Sequence, residues 1–258
     1  MASMRARTNV AGLLGLLAVL GVWEALVRSG RLDYEYLPAP SATARAAWSL
    51  LVSGELGRNV VHTLGVTLLG WTAAAVIGVA AGLLLGLSRT AWRYSMASLE
   101  ALRTVPPISM VPLALLLFGF SMWTELTVIV YASAWPVLIN TIGGVRGVRP
   151  ELLDVARMLR LARSERIRKV ILPAALPSTV VGLRLGLSLA LVLAVVAEMA
   201  GNPSGLGNAL IRAQQALRPD EMFAYVMTIG LLGVALNAAF RALASAALPW
   251  LSRERALP

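Results

Sequence analysis

Six long apolar runs constrain the fold of this chain more than any other feature. Each has about the length of ~20 mostly apolar residues that a helix needs to cross the hydrocarbon core of a bilayer. Because backbone polar groups inside a bilayer must be satisfied internally, runs of this length predict helices. We therefore predict an all-α membrane protein with six transmembrane helices in one domain, 1–258, with spans at about 10–27, 63–87, 96–120, 125–142, 178–200 and 222–248.

The composition excludes several classes of protein. Hydrophobic residues make up 58% of the chain and charged residues 14%, whereas soluble domains carry about 25% charged residues. The net charge of +10 comes from residues in short segments between apolar runs, which is typical of cytoplasmic loops and does not require nucleic acid. Without cysteine and with His62 as the single histidine, the sequence predicts no disulfide, no metal site and no cofactor bound by this chain.

The basic residues also predict an orientation. With a cytoplasmic N-terminus, fifteen Lys and Arg residues fall in inner segments and six in outer segments, as the positive-inside rule requires. We predict a multi-pass protein of the bacterial inner membrane with both termini in the cytoplasm. The first run competes with a cleaved signal peptide, but it is long for that role and lacks a small-x-small cleavage site before Arg28.

Two outer segments are predicted to contain short helices. Ser41–Leu51 follows the sequence LPAP, and the Ser41 hydroxyl is a candidate N-cap for it. A second helical stretch, Asn208–Leu217, follows GNPSGLG. Each segment is a candidate docking surface for a partner, and each has capping the helix bundle as its alternative role.

A charged amphipathic segment, residues 146–177, interrupts the apolar pattern and is here named the basic loop. It carries eight of the 23 basic residues. Pro150 and the acidic residues Glu151 and Asp154 suit a helix start, and a turn near Ala162 would lead to a second short helix limited by two prolines, Pro173 and Pro177. A polybasic loop resting on anionic lipid is the alternative interpretation.

The basic loop resembles the EAA loop of ABC-importer permeases. That pattern, E-A-A, three residues, G, and a later I-x-L-P, is matched here by Asp154-Val155-Ala156, Arg160 and Val170-Ile171-Leu172-Pro173. The spacing fits, whereas Asp replaces Glu, Val replaces the first Ala and Arg160 replaces the turn glycine. Since that glycine normally ends the first helix, Arg160 must be held there as a helical or strained residue.

Further motifs place the resemblance in the sulfonate/nitrate/taurine-type branch of these permeases and extend it over nearly the whole chain. They are LPAP at 37–40, PPISMVPLALLLFGF at 106–120, AEM at 197–199 and GLG at 205–207. Prolines inside the second of these motifs predict a bent or broken third span.

The resemblance implies the type I ABC importer permease fold, a non-catalytic subunit and a homodimer of permease chains. A cytoplasmic ATPase dimer would hold ATP and magnesium, and a periplasmic or lipid-anchored binding protein would deliver the substrate. This chain has no Walker-type phosphate loop of its own. The coupling-helix contacts would come from Asp154, Val155, Ala156, Leu159, Arg160 and Leu161, with Leu172 and Pro173 at the loop exit.

The implied substrate is a small organic anion, first an aliphatic sulfonate or taurine-like compound. Nitrate and a pyrimidine-type vitamin precursor are alternatives. Two other classes of function stay open at this stage: a carrier or channel driven by an ion gradient, which predicts inverted repeats, and a membrane-embedded enzyme, which needs a cluster of reactive side chains.

Ionisable residues within the spans are candidate functional groups because burying them in a bilayer is costly. Glu198, near the outer end of the fifth span, is expected to bind an Arg or the backbone amides around Gly205 and Gly207 in a gating or structural role, with direct substrate contact as the alternative. Glu24, Glu125 and His62 are expected at the membrane interface.

Overall fold

The computed structural model describes residues 2–30 and 36–248, and within them the protein is helical with no β-strand. Inside the first helix, the side chains of residues 2–11, 13 and 16 lie outside the described set. The helices are α1 Ala2–Arg28, α2 Pro40–Val52, α3 Glu55–Leu87, α4 Arg89–Arg103, α5 Met110–Phe118, α6 Met122–Arg146, α7 Pro150–Met158, α8 Arg163–Arg166, α9 Leu172–Met199, α10 Leu206–Gln215 and α11 Pro219–Ala247.

Three long helices, α3, α6 and α9, form the core through small residues. A Cβ on Gly78 of α3 would lie 2.8 Å from the Cβ of Val137 on α6, and one on Gly182 of α9 would lie 2.7 Å from the Pro136 carbonyl oxygen. Because lipid is as apolar as a leucine side chain, close van der Waals packing must supply the helix association. Glycines at these crossings provide it.

The number of helices that are long and apolar enough to cross a bilayer agrees in part with the six predicted spans. In the described part of the chain, four helical segments are long and apolar enough to cross a bilayer: Glu55–Leu87, Met122–Arg146, Arg163–Met199 and Pro219–Ala247. The pair α4 and α5 forms a fifth if counted together, although it bends by 73° at Pro106. Helix α1 covers the predicted first span, and its crossing of the membrane stays a prediction.

The basic loop contains α7, a turn, α8 and a short π-helical turn, Ile167–Ile171, that enters α9. Helix α7 ends in a Schellman motif, because the Leu161 amide donates to the Ala156 carbonyl at 3.0 Å and the Arg160 amide donates to the Arg157 carbonyl at 2.9 Å. Arg160 occupies the left-handed position with φ 52°. It therefore carries the backbone strain that a glycine at this turn would avoid.

The expectation that Pro173 and Pro177 limit the second helix is wrong. The chain stays helical from Arg163 to Met199, with Pro173 in the first turn of α9 and Pro177 inside it. Pro173 has no amide to donate, so the helix continues across it with that one backbone hydrogen bond missing. The π turn, in which the Leu172 amide donates to the Ile167 carbonyl, continues the hydrogen bonding up to Pro173.

The expected N-cap of α2 is also different. Helix α2 begins at Pro40 with Ala39 as N-cap, so Ser41 lies one residue inside it. The Ser41 backbone amide and hydroxyl donate to the two carboxylate oxygens of Glu24 on α1, at 3.0 and 2.8 Å. Glu24 thereby joins α1 to the positive end of α2, and its place at the membrane interface stays a prediction.

Candidate functional site

A set of buried polar side chains, here named the carboxylate cluster, joins α3, α6 and the α9–α10 connection. It consists of His62, Thr63, Glu125, Glu198 and Asn202. Thr63 and Glu198 are fully buried, and Glu125 and Asn202 are nearly so. The cluster thereby ties the first turn of α6 and the last turn of α9 to the N-terminal part of α3.

Glu198 lies in the last turn of α9 and binds the first turn of α10. One carboxylate oxygen accepts a hydrogen bond from the Gly207 amide at 2.8 Å, and the other accepts one from the Thr63 hydroxyl at 2.7 Å. The Leu206 amide in turn donates to the Thr63 oxygen at 2.9 Å. Glu198 and Thr63 together therefore satisfy free amides at the positive end of α10.

The glycines of the GLG motif allow this approach. Gly205 has φ 98°, and a Cβ there would overlap the Glu198 carboxyl group. A Cβ on Gly207 would overlap the Val195 carbonyl oxygen. The structure thus brings together the three residues Glu198, Gly205 and Gly207, whose gating or structural role stays a prediction.

Glu125 and His62, both predicted at the membrane interface, contact each other within the helix bundle. Glu125, in the first turn of α6, is 1% exposed. Its Oε1 accepts a short hydrogen bond from the Asn202 side-chain amide and lies 3.3 Å from Nε2 of His62, which is half-buried. Helix α3 starts eight residues before the predicted span, which places His62 inside the helix rather than before it.

A cavity of about 370 Å³ adjoins the cluster at His62. Its polar lining includes Glu55, Arg58, Asn59 and Arg212. Glu55 accepts a hydrogen bond from the Tyr225 hydroxyl at 3.2 Å and lies 3.7 Å from the Arg212 guanidinium. The cavity gives solvent-sized molecules access to one side of the cluster.

The predicted coupling residues occupy α7 and the turn after it. Apolar side chains Leu152 and Val155 on α7 and Leu159 at its C-cap follow helical spacing along one face, and they are 45%, 52% and 67% exposed. Ala156 is the buried residue of this helix, and Asp154 pairs with Arg157 on an exposed face. Leu172 and Pro173, at the loop exit, lie half-buried at the start of α9.

Two members of the carboxylate cluster were not singled out from sequence. Thr63 is predicted only as the start of a span, and Asn202 only as part of a polar loop. In the six-span topology, however, residues 62, 125 and 198 all fall at outer span ends. Their shared position near the outer side of the membrane is the one sequence feature that indicates these three residues lie close together.

The chain matches the family model described as the binding-protein-dependent transport system inner membrane component over residues 49–253. It therefore belongs to that family of ABC transporter permeases. A Bacillus subtilis (strain 168) protein named as an aliphatic sulfonates transport permease is 34% identical over 93% of this chain and 87% of its own length. The nitrate import permease protein of Leptolyngbya laminosa is 29% identical over 94% and 89%.

A third relative, the bicarbonate transport system permease protein of Synechococcus elongatus, is 31% identical over 87% of this chain and 84% of its own length. Among solved structures, an amino acid ABC transporter chain aligns with a TM-score of 0.61 at 21% identity, covering 81% of this chain and 98% of that chain. The methionine ABC transporter chain in an inward-facing form aligns at 0.57 and 21% identity, covering 72% and 95%. Both establish the ABC permease fold.

The chain is accordingly a multi-pass inner-membrane permease subunit of an ABC importer, in the branch that includes the sulfonate and nitrate permeases. It is a non-catalytic subunit, because ATP hydrolysis in such systems belongs to a separate subunit. Family membership replaces the carrier and enzyme interpretations.

Proposed function

We propose that two copies of this chain form the translocation pathway of an ATP-driven importer for small organic anions, with aliphatic sulfonates as the main substrates. The observation that carries the coupling part of this proposal is the exposed apolar face of α7. Its leucine and valine side chains would otherwise stay in water, since they lie on a charged loop rather than on an apolar span. An apolar helix face on such a loop suits a protein partner.

The partner is an ATPase dimer, which holds ATP and magnesium. Helix α7 inserts its apolar face into a groove of one ATPase subunit, with Asp154 and Arg160 setting its orientation. Anchoring comes from Ala156, which is 1% exposed and fixes α7 to the rest of the chain. Charges around an apolar centre orient a complex more than they strengthen it.

The mechanical connection is the continuous helical segment Arg163–Met199. It starts beside α7 and ends in the Glu198 hydrogen bonds with α10. When the ATPase moves α7, the helical segment Arg163–Met199 tilts as a unit. The middle of this segment packs against α6 and α3. This provides a direct route from ATP-driven closure to opening of the pathway at the carboxylate cluster.

Both termini and the basic loop lie in the cytoplasm in this proposal, and α1 forms the first of six spans. The α2 and α10 regions then face a periplasmic or lipid-anchored binding protein. Support comes from the basic-residue distribution and from the family's description as binding-protein-dependent.

Sulfonates are proposed from the relatives, which include permeases named for aliphatic sulfonates in Bacillus subtilis and Escherichia coli. Nitrate and bicarbonate permeases are also relatives. All of these substrates are small anions. The relatives therefore support a small anion as the substrate class.

Reconstitution in proteoliposomes tests this proposal. The permease, its ATPase and its binding protein are purified together, and ATP-dependent uptake of radiolabelled ethanesulfonate, taurine, nitrate and bicarbonate is measured. We expect uptake of a sulfonate that depends on ATP and on the binding protein. Uptake of nitrate or bicarbonate alone would overturn the sulfonate assignment, and ATP-independent uptake would overturn the importer mechanism.

A further inference from the structure

Three potential metal ligands from distant parts of the chain meet in the carboxylate cluster. One ligand atom each from His62, Glu125 and Glu198 lies within 4.8 Å of the others. They come from α3, α6 and α9, so the grouping arises from helix packing and not from a local acidic sequence. Imidazole and carboxylate groups are the usual ligands of divalent transition-metal ions.

The two carboxylates lack a basic partner. Among the side chains that the structure describes, no Lys or Arg lies within ion-pair distance of Glu125 or Glu198, and His62 lies 3.3 Å from Glu125. Buried carboxylates without a cation are costly because the low-dielectric interior does not screen them. A bound cation would neutralise both groups.

A second observation concerns the unused oxygen of Glu125. Within the described residues, Oε2 of Glu125 is buried and has no hydrogen-bond partner. Most buried polar atoms in native proteins do have one, so this atom calls for a ligand. The neighbouring cavity of about 370 Å³ is lined by His62 and supplies an entry path and room for water as a further ligand.

We propose that His62, Glu125 and Glu198 bind one divalent transition-metal ion per permease chain, with zinc as the reference ion. Tetrahedral zinc with bonds of about 2.1 Å separates its ligand atoms by about 3.4 Å. The 3.3 Å between Nε2 of His62 and Oε1 of Glu125 is close to this spacing, and Oε2, which has no hydrogen-bond partner among the described residues, belongs to the same carboxylate. The three ligand atoms lie within 4.8 Å of one another, so an adjustment of the Glu125 side chain would bring them to this spacing. The ion joins α3, α6 and α9 at one point.

Metal analysis of the intact importer tests the proposal. The permease is purified with its ATPase through a streptavidin-binding tag, since a polyhistidine tag would bind zinc itself. Chelator-treated complex is titrated with ZnCl₂ by calorimetry, and metal retained after gel filtration is counted by mass spectrometry. We expect one zinc per permease chain. Substitution with Co²⁺ should give visible absorption typical of low-symmetry nitrogen and oxygen ligation.

Matched variants distinguish this site from surface binding. His62→Gln and Glu125→Gln should each lower zinc affinity at least tenfold. Glu55→Gln, in the same cavity but outside the ligand set, should bind zinc as the unchanged protein does. Absence of zinc and of the cobalt signal in the unchanged complex would overturn the proposal, as would equal zinc binding by the unchanged complex and an assembled His62→Gln variant. The cobalt spectrum decides without any variant, so a misfolded substitution leaves the test intact.

Discussion

The carboxylate cluster and the basic loop differ in burial: the cluster buries its charged side chains, whereas the loop exposes both its ion pairs and its apolar side chains. In the cluster, Glu198 is fully buried, and its two oxygens accept hydrogen bonds from this same chain. In the basic loop, ion pairs such as Lys169–Glu165 are exposed, and the apolar face of α7 is uncovered. Exposed pairs contribute little stability, roughly 0–1 kcal/mol each.

This comparison distinguishes polar groups that are satisfied within one chain from an apolar surface that is left exposed for a partner protein. The cluster fixes how α9 meets α10 and needs no other protein for that. The α7 face is ordered by its helix and its Schellman turn, yet its side chains have little to pack against. We therefore expect changes in the cluster to destabilise the chain, and changes on α7 to affect coupling without affecting folding.

The largest expected effect follows from adding a side chain at Gly205. Gly205→Val places a branched side chain at φ 98° and against the Glu198 carboxyl group, which should cost about 4 kcal/mol or more. Folded permease in membranes, measured by fluorescence-detected gel filtration, should nearly vanish. Gly57→Ala is the control, because a Cβ there meets nothing within 4 Å. Equal yields of the two variants would refute the close contact.

Glu198→Gln should have the next largest effect. The new amide nitrogen would face either the Thr63 hydroxyl or the Gly207 amide, both of them donors to the native carboxylate. Leaving a buried donor unsatisfied costs roughly 1–3 kcal/mol. Thermal unfolding of the purified protein should shift downward, while the relative uptake of different anions stays constant. A changed anion preference would instead assign Glu198 to substrate contact.

Replacing apolar residues of the α7 face by aspartate should reduce coupling to the ATPase, with a smaller free-energy effect than the two changes above. Val155→Asp combined with Leu159→Asp should lower ATP-dependent uptake at least tenfold, or about 1.4 kcal/mol. Stability should change by less than about 0.5 kcal/mol, since both side chains are exposed. Arg163→Ala, exposed in the same loop, is the control. Normal uptake by the double variant would remove α7 from the coupling mechanism.

The smallest predicted effect concerns the turn after α7. Arg160→Gly should raise stability by about 0.4–1 kcal/mol because glycine accepts the left-handed conformation without strain. Leu217→Gly is a matched comparison, since Leu217 has φ 54° at the corresponding turn after α10. Chemical denaturation in detergent measures both. A loss of stability at Arg160 would indicate that its side chain makes contacts that offset the strain.

Sequence patterns predicted the apolar helices and the proximity of Glu198 to the GLG motif well, because both depend on short stretches of chain. The break at Pro106 followed from local backbone chemistry in the same way. The contact between His62 and Glu125 spans 63 residues, and that between Thr63 and Glu198 spans 135. Predicting such contacts requires knowing which face of each helix points toward its neighbours. A helix that is apolar on all sides carries no sequence pattern that distinguishes one face from another.

The prolines and Ser41 show a different limit. The missing amide of Pro173 predicts a helix boundary, but the π turn before it carries the hydrogen bonding up to Leu172 and the helix continues. Ser41 has the right chemistry for a cap, and its amide and hydroxyl are instead bound by Glu24 from another helix. In both cases the residue has the hydrogen-bonding property that the sequence indicates, and the surrounding helices determine the structural role of that property.

Co-purification of the ATPase tests the central claim that α7 is the surface this chain leaves for its energy-supplying partner. The tagged permease is isolated from its own membrane in mild detergent, beside the Val155→Asp/Leu159→Asp and Arg163→Ala variants. The account predicts ATPase in near-equal amount with the unchanged chain and the control, and at least a tenfold loss with the double variant. Equal ATPase recovery with a correctly folded double variant would contradict the account.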